Sequence, residues 1–450
     1  MLVPPVIRPQ HPDLLWPVVM PPNVSAVWSL WRQLEDSQWW SRDTVEHYQK
    51  RQLASLISHF KGVGVLPTSI APAMEFALGN GAGIYQVIGM LPLTTRRDMQ
   101  TRANDAKPTI TQHGEVTQLK TSGSSGEPVS LYVSAMLFRL RSALTLRGHM
   151  WHGLRFTHKF AAIRGGLRER GQLQSHAQSW GGIVAKLFAT GPSVGLDIST
   201  PLEQQAAWLT KERPGILLSL PSNIEALLDL LPKGWPGLTD VLTISETLSL
   251  GLRDRIKASW KCRVWDKYSS EELGSIAIEC ESGQYHCSEH LLVEVLDEQN
   301  RACTVGEVGR VVVTDLWNFA TPVIRYDIGD YAAVGTRCTC GRGLLPLKQI
   351  MGRVRNIMTL PDGRKFWPTF GMRSYGELAP IEQIQFVQTT LQDMKIRYVA
   401  SRELTEKEVQ LVSERVIAYV DYPLTLTFER ALERLNEGRN FKFEEFKSLV

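Results

Sequence analysis

Three short stretches of this chain combine residue types that chemistry on phosphates requires. Thr121-Ser-Gly-Ser-Ser-Gly-Glu-Pro128 sets Gly123 and Gly126 among the hydroxyls of Thr121, Ser122, Ser124 and Ser125. Glycines open backbone conformations closed to residues with a Cβ, and hydroxyls beside exposed N–H groups can surround a phosphate. The loop lacks the Gly-Lys-Ser/Thr ending of a Walker A motif, with Glu127-Pro128 in that place, and taken alone it reads better as a hairpin loop. Tyr268-Ser-Ser-Glu-Glu-Leu-Gly274 follows a run that reads as a strand, so Glu271 and Glu272 fall at its carboxyl end. Ligands of α/β sheets bind there, and one carboxylate could hold Mg²⁺ on a nucleotide; the bland alternative is an acidic start to a helix. Arg325-Tyr-Asp-Ile-Gly-Asp330 ends on an aspartate that suits a ribose diol, although capping a turn explains it as cheaply.

A second chemistry sits in the cysteines. There are six, and Cys280, Cys287, Cys338 and Cys340 fall in two close groups, with His286 beside Cys287. In a reducing compartment such clustering favours a metal over disulfides, and three thiolates with one imidazole make a closed tetrahedral zinc site. Cys287 competes with His286 for the fourth position, whereas Cys262 and Cys303 read as ordinary small residues.

The elements that must position these residues follow from periodicity. At 450 residues the chain exceeds the size of one growing core, so two or more domains are expected. Fifty Lys and Arg against forty-six Asp and Glu leave a formal charge of +4, too balanced to make nucleic acid or an anionic membrane the default partner. The first residues lack the pattern of a secretory signal, and Pro17, Pro21 and Pro22 break the uncharged stretch 14–31, so a cytoplasmic location is expected. Residues 26–62 carry helical spacing, and Pro92 precedes a Thr-capped helix bearing Arg96, Arg97 and Asp98. From 199 to 270 helix and strand patterns alternate, which predicts parallel strands with crossover helices. After 290 the texture is that of antiparallel strands, and from about 353 a small α+β unit follows. "GNGAG" at 79–83 reads as a plain loop. Residues 139–170 hold eight Lys or Arg and one acid with His149, His152 and His158, a pattern that reads first as a solvated helical face.

In this order, "TSGSSGEP", "YSSEELG", "RYDIGD", "GRVRN" and "EGRNFKF" resemble the adenylate-forming enzyme superfamily, in the branch similar to phenylacetate CoA ligase. The resemblance runs from about residue 91 to the C-terminus. It implies an α/β fold: a large N-terminal adenylation domain with mixed sheets over residues 1–352 and a small mobile α+β lid over 353–450, with the site in the cleft between them. The implied reaction joins ATP and a carboxylic acid, an aryl acid being the first expectation, into acyl-AMP and passes the acyl group to a thiol of CoA or of a phosphopantetheinyl carrier protein.

Position by position, the resemblance implies that Thr121, Ser122, Gly123, Ser124, Ser125 and Gly126 close over the triphosphate. Tyr268 would line the boundary of adenine and acyl group, Glu272 would hold Mg²⁺, Asp330 would accept from the ribose, and Arg353 would reach the nucleotide. Some members of the branch carry a similar Cys, His, Cys, Cys set, which favours structural Zn²⁺ on Cys280, His286, Cys338 and Cys340. The chain departs from the family pattern in three places. Arg439, with Lys442 three residues on, stands where a catalytic lysine is usual, Arg355 replaces an acidic hinge residue, and Glu271 replaces a Ser or Thr. These departures keep a second reading open, a degenerate nucleotide- or acyl-adenylate-binding scaffold, ahead of a remoter nucleic-acid binder. A homodimer, with no nucleic acid or membrane as partner, completes the expectation.

Overall fold

The computed structural model describes the chain apart from residues 1–6, 12, 15–16, 65, 67–69, 106–112, 121–128, 354–356, 367, 369, 371–374, 433–434 and 436–444. It divides into two compact units, Met1–Ile350 and Met351–Val450.

The first unit opens with helices α1 (Pro22–Ser37), α2 (Arg42–Gly62), α3 (Ile70–Gly79), α4 (Ile84–Ile88) and α5 (Arg96–Asp105). Ser41 caps α2 by accepting from the N–H of Thr44, and the apolar face Leu53, Leu56, Ile57 and Phe60 buries against Leu292, Leu316 and Phe319. The "GNGAG" stretch is the connection between α3 and α4. A hairpin of β1 (Val116–Lys120) and β2 (Ser130–Ser134) brackets residues 121–128, and α6 (Ala135–Trp151) leaves it at once with Ser134 as its cap.

The remaining strands form one 12-stranded mixed sheet. Its parallel part uses β3 (Phe160–Arg164), β5 (Ser193–Asp197), β6 (Ile216–Ser219), β7 (Asp240–Ile244) and β8 (Arg263–Ser270), with β4 (Gln174–Ala177) antiparallel at the edge. The crossovers are α7 (Gly182–Leu187), α8 (Leu202–Glu212), α9 (Pro221–Leu227) and α10 (Leu250–Trp260). Beyond β8 the ladder turns antiparallel through β9 (Gly274–Glu279), β10 (Tyr285–Cys287), β11 (Leu291–Leu296), β12 (Val308–Asp315) and β13 (Tyr326–Val334), and β14 (Pro346–Arg353) pairs with β10. Alternation of helix and strand from 199 to 270 and its loss after 290 therefore match the sequence pattern.

The second unit holds a short pair, β15 (Met358–Thr359) and β16 (Lys365–Phe366), and a four-stranded sheet. That sheet orders β19 (Thr425–Ala431), β18 (Asp393–Ala400), β17 (Ile381–Gln388) and β20 (Phe446–Ser448), with α11 (Glu406–Val420) started by a capping box of Thr405 and Glu408. Its own core packs Phe386, Ile396, Val412 and Val416.

Part of the 139–170 stretch departs from the solvated face that its charge suggests. In α6, Leu137, Leu140, Leu144 and Arg147 are buried, and Arg147 donates to both oxygens of Glu289 at 2.8 Å. His149 and His152 stay neutral inside the fold, their pKa values pushed by burial to about 3 and about 4. Charge counting missed this because the balancing acid, Glu289, lies more than a hundred residues away.

A second buried pair fixes β13. Arg325 donates to Glu294 through Nε at 3.1 Å and Nη2 at 3.0 Å, and its Nη1 reaches the Leu91 carbonyl at 2.6 Å. Removing one partner strands the other charge in a low dielectric. Arg325→Met should therefore destabilise the first unit by about 3–5 kcal/mol, and the double replacement with Glu294→Leu should cost less than Arg325→Met alone. Chemical denaturation of the single and double variants checks this; a loss under about 1 kcal/mol for Arg325→Met would contradict it.

Candidate active site

The carboxyl end of β8 gathers three of the residues singled out above. Tyr268 donates its hydroxyl to Asp330 Oδ2 on β13 at 2.8 Å, so the aromatic ring and the ribose-suited carboxylate are joined directly. Asp330 lies within β13. Glu271 and Glu272 occupy the turn between β8 and β9, and β9 begins at Gly274, so the reading in which they open a helix is not met.

That turn separates the two acids. Glu271 is exposed, whereas the Glu272 side chain is 8% exposed and meets Arg96 Nη1 at 3.3 Å. Arg141 of α6 donates to the main-chain carbonyl of Glu272 at 2.5 Å, and more loosely to that of Glu271 at 3.4 Å. Gly274 makes this approach possible: its φ is +72°, and a Cβ there would meet Arg141 Cδ at 3.0 Å. Two guanidinium groups thus converge on the turn, a setting that favours polyanionic ligands.

Arg96 owes its place to backbone pairing. Thr94 donates its N–H to the Arg325 carbonyl at 2.8 Å, and Asp327 donates its own to the Thr94 carbonyl at 2.9 Å. Thr95 then caps α5 in exchange with Asp98. The hairpin around 121–128 is held similarly, with the Tyr132 N–H donating to Thr321 Oγ1 at 2.8 Å. Thr121, Ser122, Gly123, Ser124, Ser125 and Gly126 themselves lie outside the described residues, as do Arg355, Arg439 and Lys442. Arg353 ends β14, and the second unit includes it.

Beside the turn, the parallel strands are filled unevenly. Ala161, Ile163, Leu217, Val241, Val264 and Asp266 point to one face and are all buried. On the opposite face Ile216, Asp240 and Leu242 are buried, whereas Ala162, Leu218, Ile244, Trp265 and Lys267, neighbours through the registers Ala162↔Leu218 and Ile244↔Lys267, are only partly covered. Parallel sheets are ordinarily covered on both faces, so this marks an apolar hollow. Helix α6 roofs it: His152 stacks on Trp265 at 4.4 Å, and His149 meets Trp180 edge-on at 5.9 Å. The hollow was not legible in the sequence, because apolar residues lining a void and filling a core look alike.

The sulfur cluster stands apart in the antiparallel ladder. Cys280 follows β9, His286 lies on β10, and Cys338 and Cys340 precede β14; their ligand atoms all fall within 4.8 Å of one another. Cys280 and Cys338 sulfurs are 3.6 Å apart and Cys340 Sγ is 3.3 Å from His286 Nε2. Bonds of about 2.0–2.3 Å around a tetrahedral ion give ligand separations of about 3.3–3.8 Å, so the donor set fits zinc. Burial opposes ionisation of Cys340, yet the N–H and guanidinium of Arg342 bring its thiol below the ordinary value. Cys287, next to His286 on the strand, points away and lines a small void with Arg42, Gln49 and Tyr85.

No family model matches the chain. One curated relative, phenylacetate-coenzyme A ligase of Thermus thermophilus, is 26% identical over 167 residues, which span 36% of this chain and 37% of that protein. The match thus covers little more than a third of the relative's length. Among solved structures, 2-hydroxyisobutyryl-CoA ligase in its postadenylation state with an acyl-AMP aligns over 98% of this chain and 97% of that one, at a TM-score of 0.69 and 16% identity. Anthranilate CoA ligase with anthranoyl-AMP aligns over 73% of this chain and 65% of that one, at a TM-score of 0.54 and 14% identity. The chain has the mixed α/β fold of the adenylate-forming ligases, and its sequence likeness falls on the phenylacetate CoA ligase side of them.

Sequence reading missed Asp315, the last residue of β12. It is fully buried, accepts from the N–H groups of Trp317 and Asn318 at 2.9 and 3.1 Å, and leaves Oδ2 without a partner. Burial lifts its pKa from 3.8 to about 6, against the pull of Arg141. The folded state therefore holds this proton where the unfolded chain has lost it. The stability it contributes is present below about pH 4 and lost as pH rises to about 6. Asp315→Asn should remove that decline, shifting the balance toward the variant by about 2–3 kcal/mol between pH 4 and 7. Denaturation at both pH values checks it; parallel pH profiles would rule it out.

Proposed function

We propose that the chain is an ATP-dependent acid–thiol ligase: it activates a carboxylic acid as acyl-AMP, with pyrophosphate leaving, and passes the acyl group to a thiol of CoA or of a phosphopantetheinyl carrier. The observation that carries this reading is the convergence of Tyr268, Glu272 and Asp330, with Arg96 and Arg141, at the carboxyl end of the parallel strands beside an apolar hollow. In this reading Asp330, oriented by Tyr268, accepts from the ribose hydroxyls, and Glu272 is the carboxylate that holds Mg²⁺ on the phosphates. Arg96 then exchanges its contact with Glu272 for phosphate oxygens. Residues 121–126 close over the triphosphate, Arg353 contacts the nucleotide, and Arg439 or Lys442 meets the α-phosphate as the acid attacks. The hollow takes the acyl group, and its aromatic walls favour a flat aryl acid. The chain's contribution is positioning and neutralisation of phosphate charge.

Pyrophosphate exchange into ATP across a panel of carboxylic acids tests the reading. Glu272→Gln should lower exchange by about a hundredfold, and Arg439→Ala against Lys442→Ala should identify the cation used in adenylation. Nucleotide binding with no exchange for any acid would favour the scaffold reading instead.

We further assign a structural Zn²⁺ to Cys280, His286, Cys338 and Cys340, where it would clip β9, β10 and the approach to β14 together. Metal analysis should find about one zinc per chain, and Cys338→Ser should remove it and lower the melting temperature. A protein without zinc whose stability is indifferent to that substitution would end the assignment.

A further inference from the structure

Lys267 stands on the sheet face that forms the hollow's floor, which it shares with Arg263, paired there with Asp240, and with the exposed Arg164 at the end of β3. It sits between Ile244 of β7 and Ile278 of β9, two residues beyond Trp265, under the helix that carries His149 and His152. Gly148 of that helix lies over Ile278, where a Cβ would stand 3.6 Å from Ile278 Cδ1, so α6 crosses directly above this rung.

Among the described residues, the ammonium of Lys267 makes no hydrogen bond or ion pair, and burial alone lowers its pKa, to about 8. The acids nearby are committed elsewhere. Asp266 points to the other face, where Thr243 and Tyr285 donate to it at 2.5 and 2.7 Å. Asp240 accepts from Trp265 Nε1 at 2.9 Å and pairs with Arg263 at 2.8 Å. His149 and His152 are neutral and offer no negative charge. An amine held unpaired at an apolar wall is costly, and a hydrophobic side chain would fill the position better.

We propose that Lys267 determines substrate specificity by meeting a second acceptor group of the acid, a phenolic oxygen or second carboxylate, while the reacting carboxylate faces the Tyr268 and Glu272 side. This deepens the ligase reading and rests on it. The substrate class is then a flat aromatic acid carrying an additional anionic or hydroxyl substituent, seated under α6 beside Ile244, Trp265 and His149. Lys267 is a recognition residue, not a catalytic one, because the bond changes occur at the other end of the acid.

The test compares benzoic acid with the hydroxybenzoic and benzenedicarboxylic acids in pyrophosphate exchange, for the unaltered protein and Lys267→Met, an unbranched replacement of similar length. The best substituted acid should exceed benzoic acid in kcat/KM by about tenfold or more, mainly through KM, and Lys267→Met should erase that ratio while sparing benzoic acid. Calorimetric binding of the same acids beside a non-hydrolysable ATP analogue reads the ratio without turnover. An unchanged ratio, or an equal loss for all acids, overturns the role of Lys267 and leaves the ligase reading standing. A binding ratio that Lys267→Met erases, with no exchange for any acid, upholds the recognition role and rejects the ligase activity. No binding and no exchange for any acid, from a protein that melts cooperatively, overturns both.

Discussion

A parallel strand needs cover on both faces, and the structure turns on where this chain withholds it. Across β3, β6, β7 and β8 one face is buried from Ala161 to Tyr268, while the other is partly open toward the carboxyl ends. The buried face supplies rigidity through interdigitated Ile, Leu and Val, while α7, unlike the other crossover helices, packs beside α1 and α6. The open face can stay unfilled only because α6 spans it as a roof, anchored at one end by the His152–Trp265 stack and along its length by Arg147 on Glu289. A hollow next to a polar turn is the arrangement an acid activated on a nucleotide requires: apolar cover for the acyl part and fixed charge for the phosphates.

Charge inside the fold is handled in two ways. Arg147, Arg253 and Arg325 are each matched to a glutamate of the antiparallel ladder, Glu289 in the turn before β11, Glu279 on β9 and Glu294 on β11. Such pairs gain little over a hydrophobic filling, yet they select one register, since a shifted strand would bury a lone carboxylate. Lys267 follows the opposite rule, having no anionic partner among the described residues. The contrast within one sheet argues that its charge serves something other than the fold.

Much of the architecture could be read from pattern. The alternation from 199 to 270 gave the parallel strands because crossover helices carry a 3.6-residue period and buried strands an unbroken apolar run. Glu272, Tyr268 and Asp330 were found by their order along the chain, and the 2.8 Å bond from Tyr268 to Asp330 is a tertiary side-chain contact between β8 and β13, which are not neighbours in the sheet. What pattern missed is equally physical. Arg141, Asp315 and Lys267 look like surface charges, and only burial distinguishes them. The basic stretch 139–170 misled for the same reason, since its partners Glu289 and Glu272 are remote in sequence.

The Glu272–Arg96 contact bears on how such a site avoids idle chemistry. With the carboxylate in contact with Arg96 at 3.3 Å, the Mg²⁺ that the proposed ligase reading assigns to Glu272 would have to displace a cation to bind, and phosphate would have to accept that cation in turn. Each exchange alone leaves a buried charge uncompensated, so the two favour occurring together. Metal and triphosphate would then bind cooperatively, each weakly without the other. Arg141 stays outside the exchange, because it holds main-chain carbonyls rather than the Glu272 carboxylate, and so keeps the turn in place while the side chain changes partner. The glycine at 274 that admits Arg141 is thus as much a part of the site as the acid two residues before it.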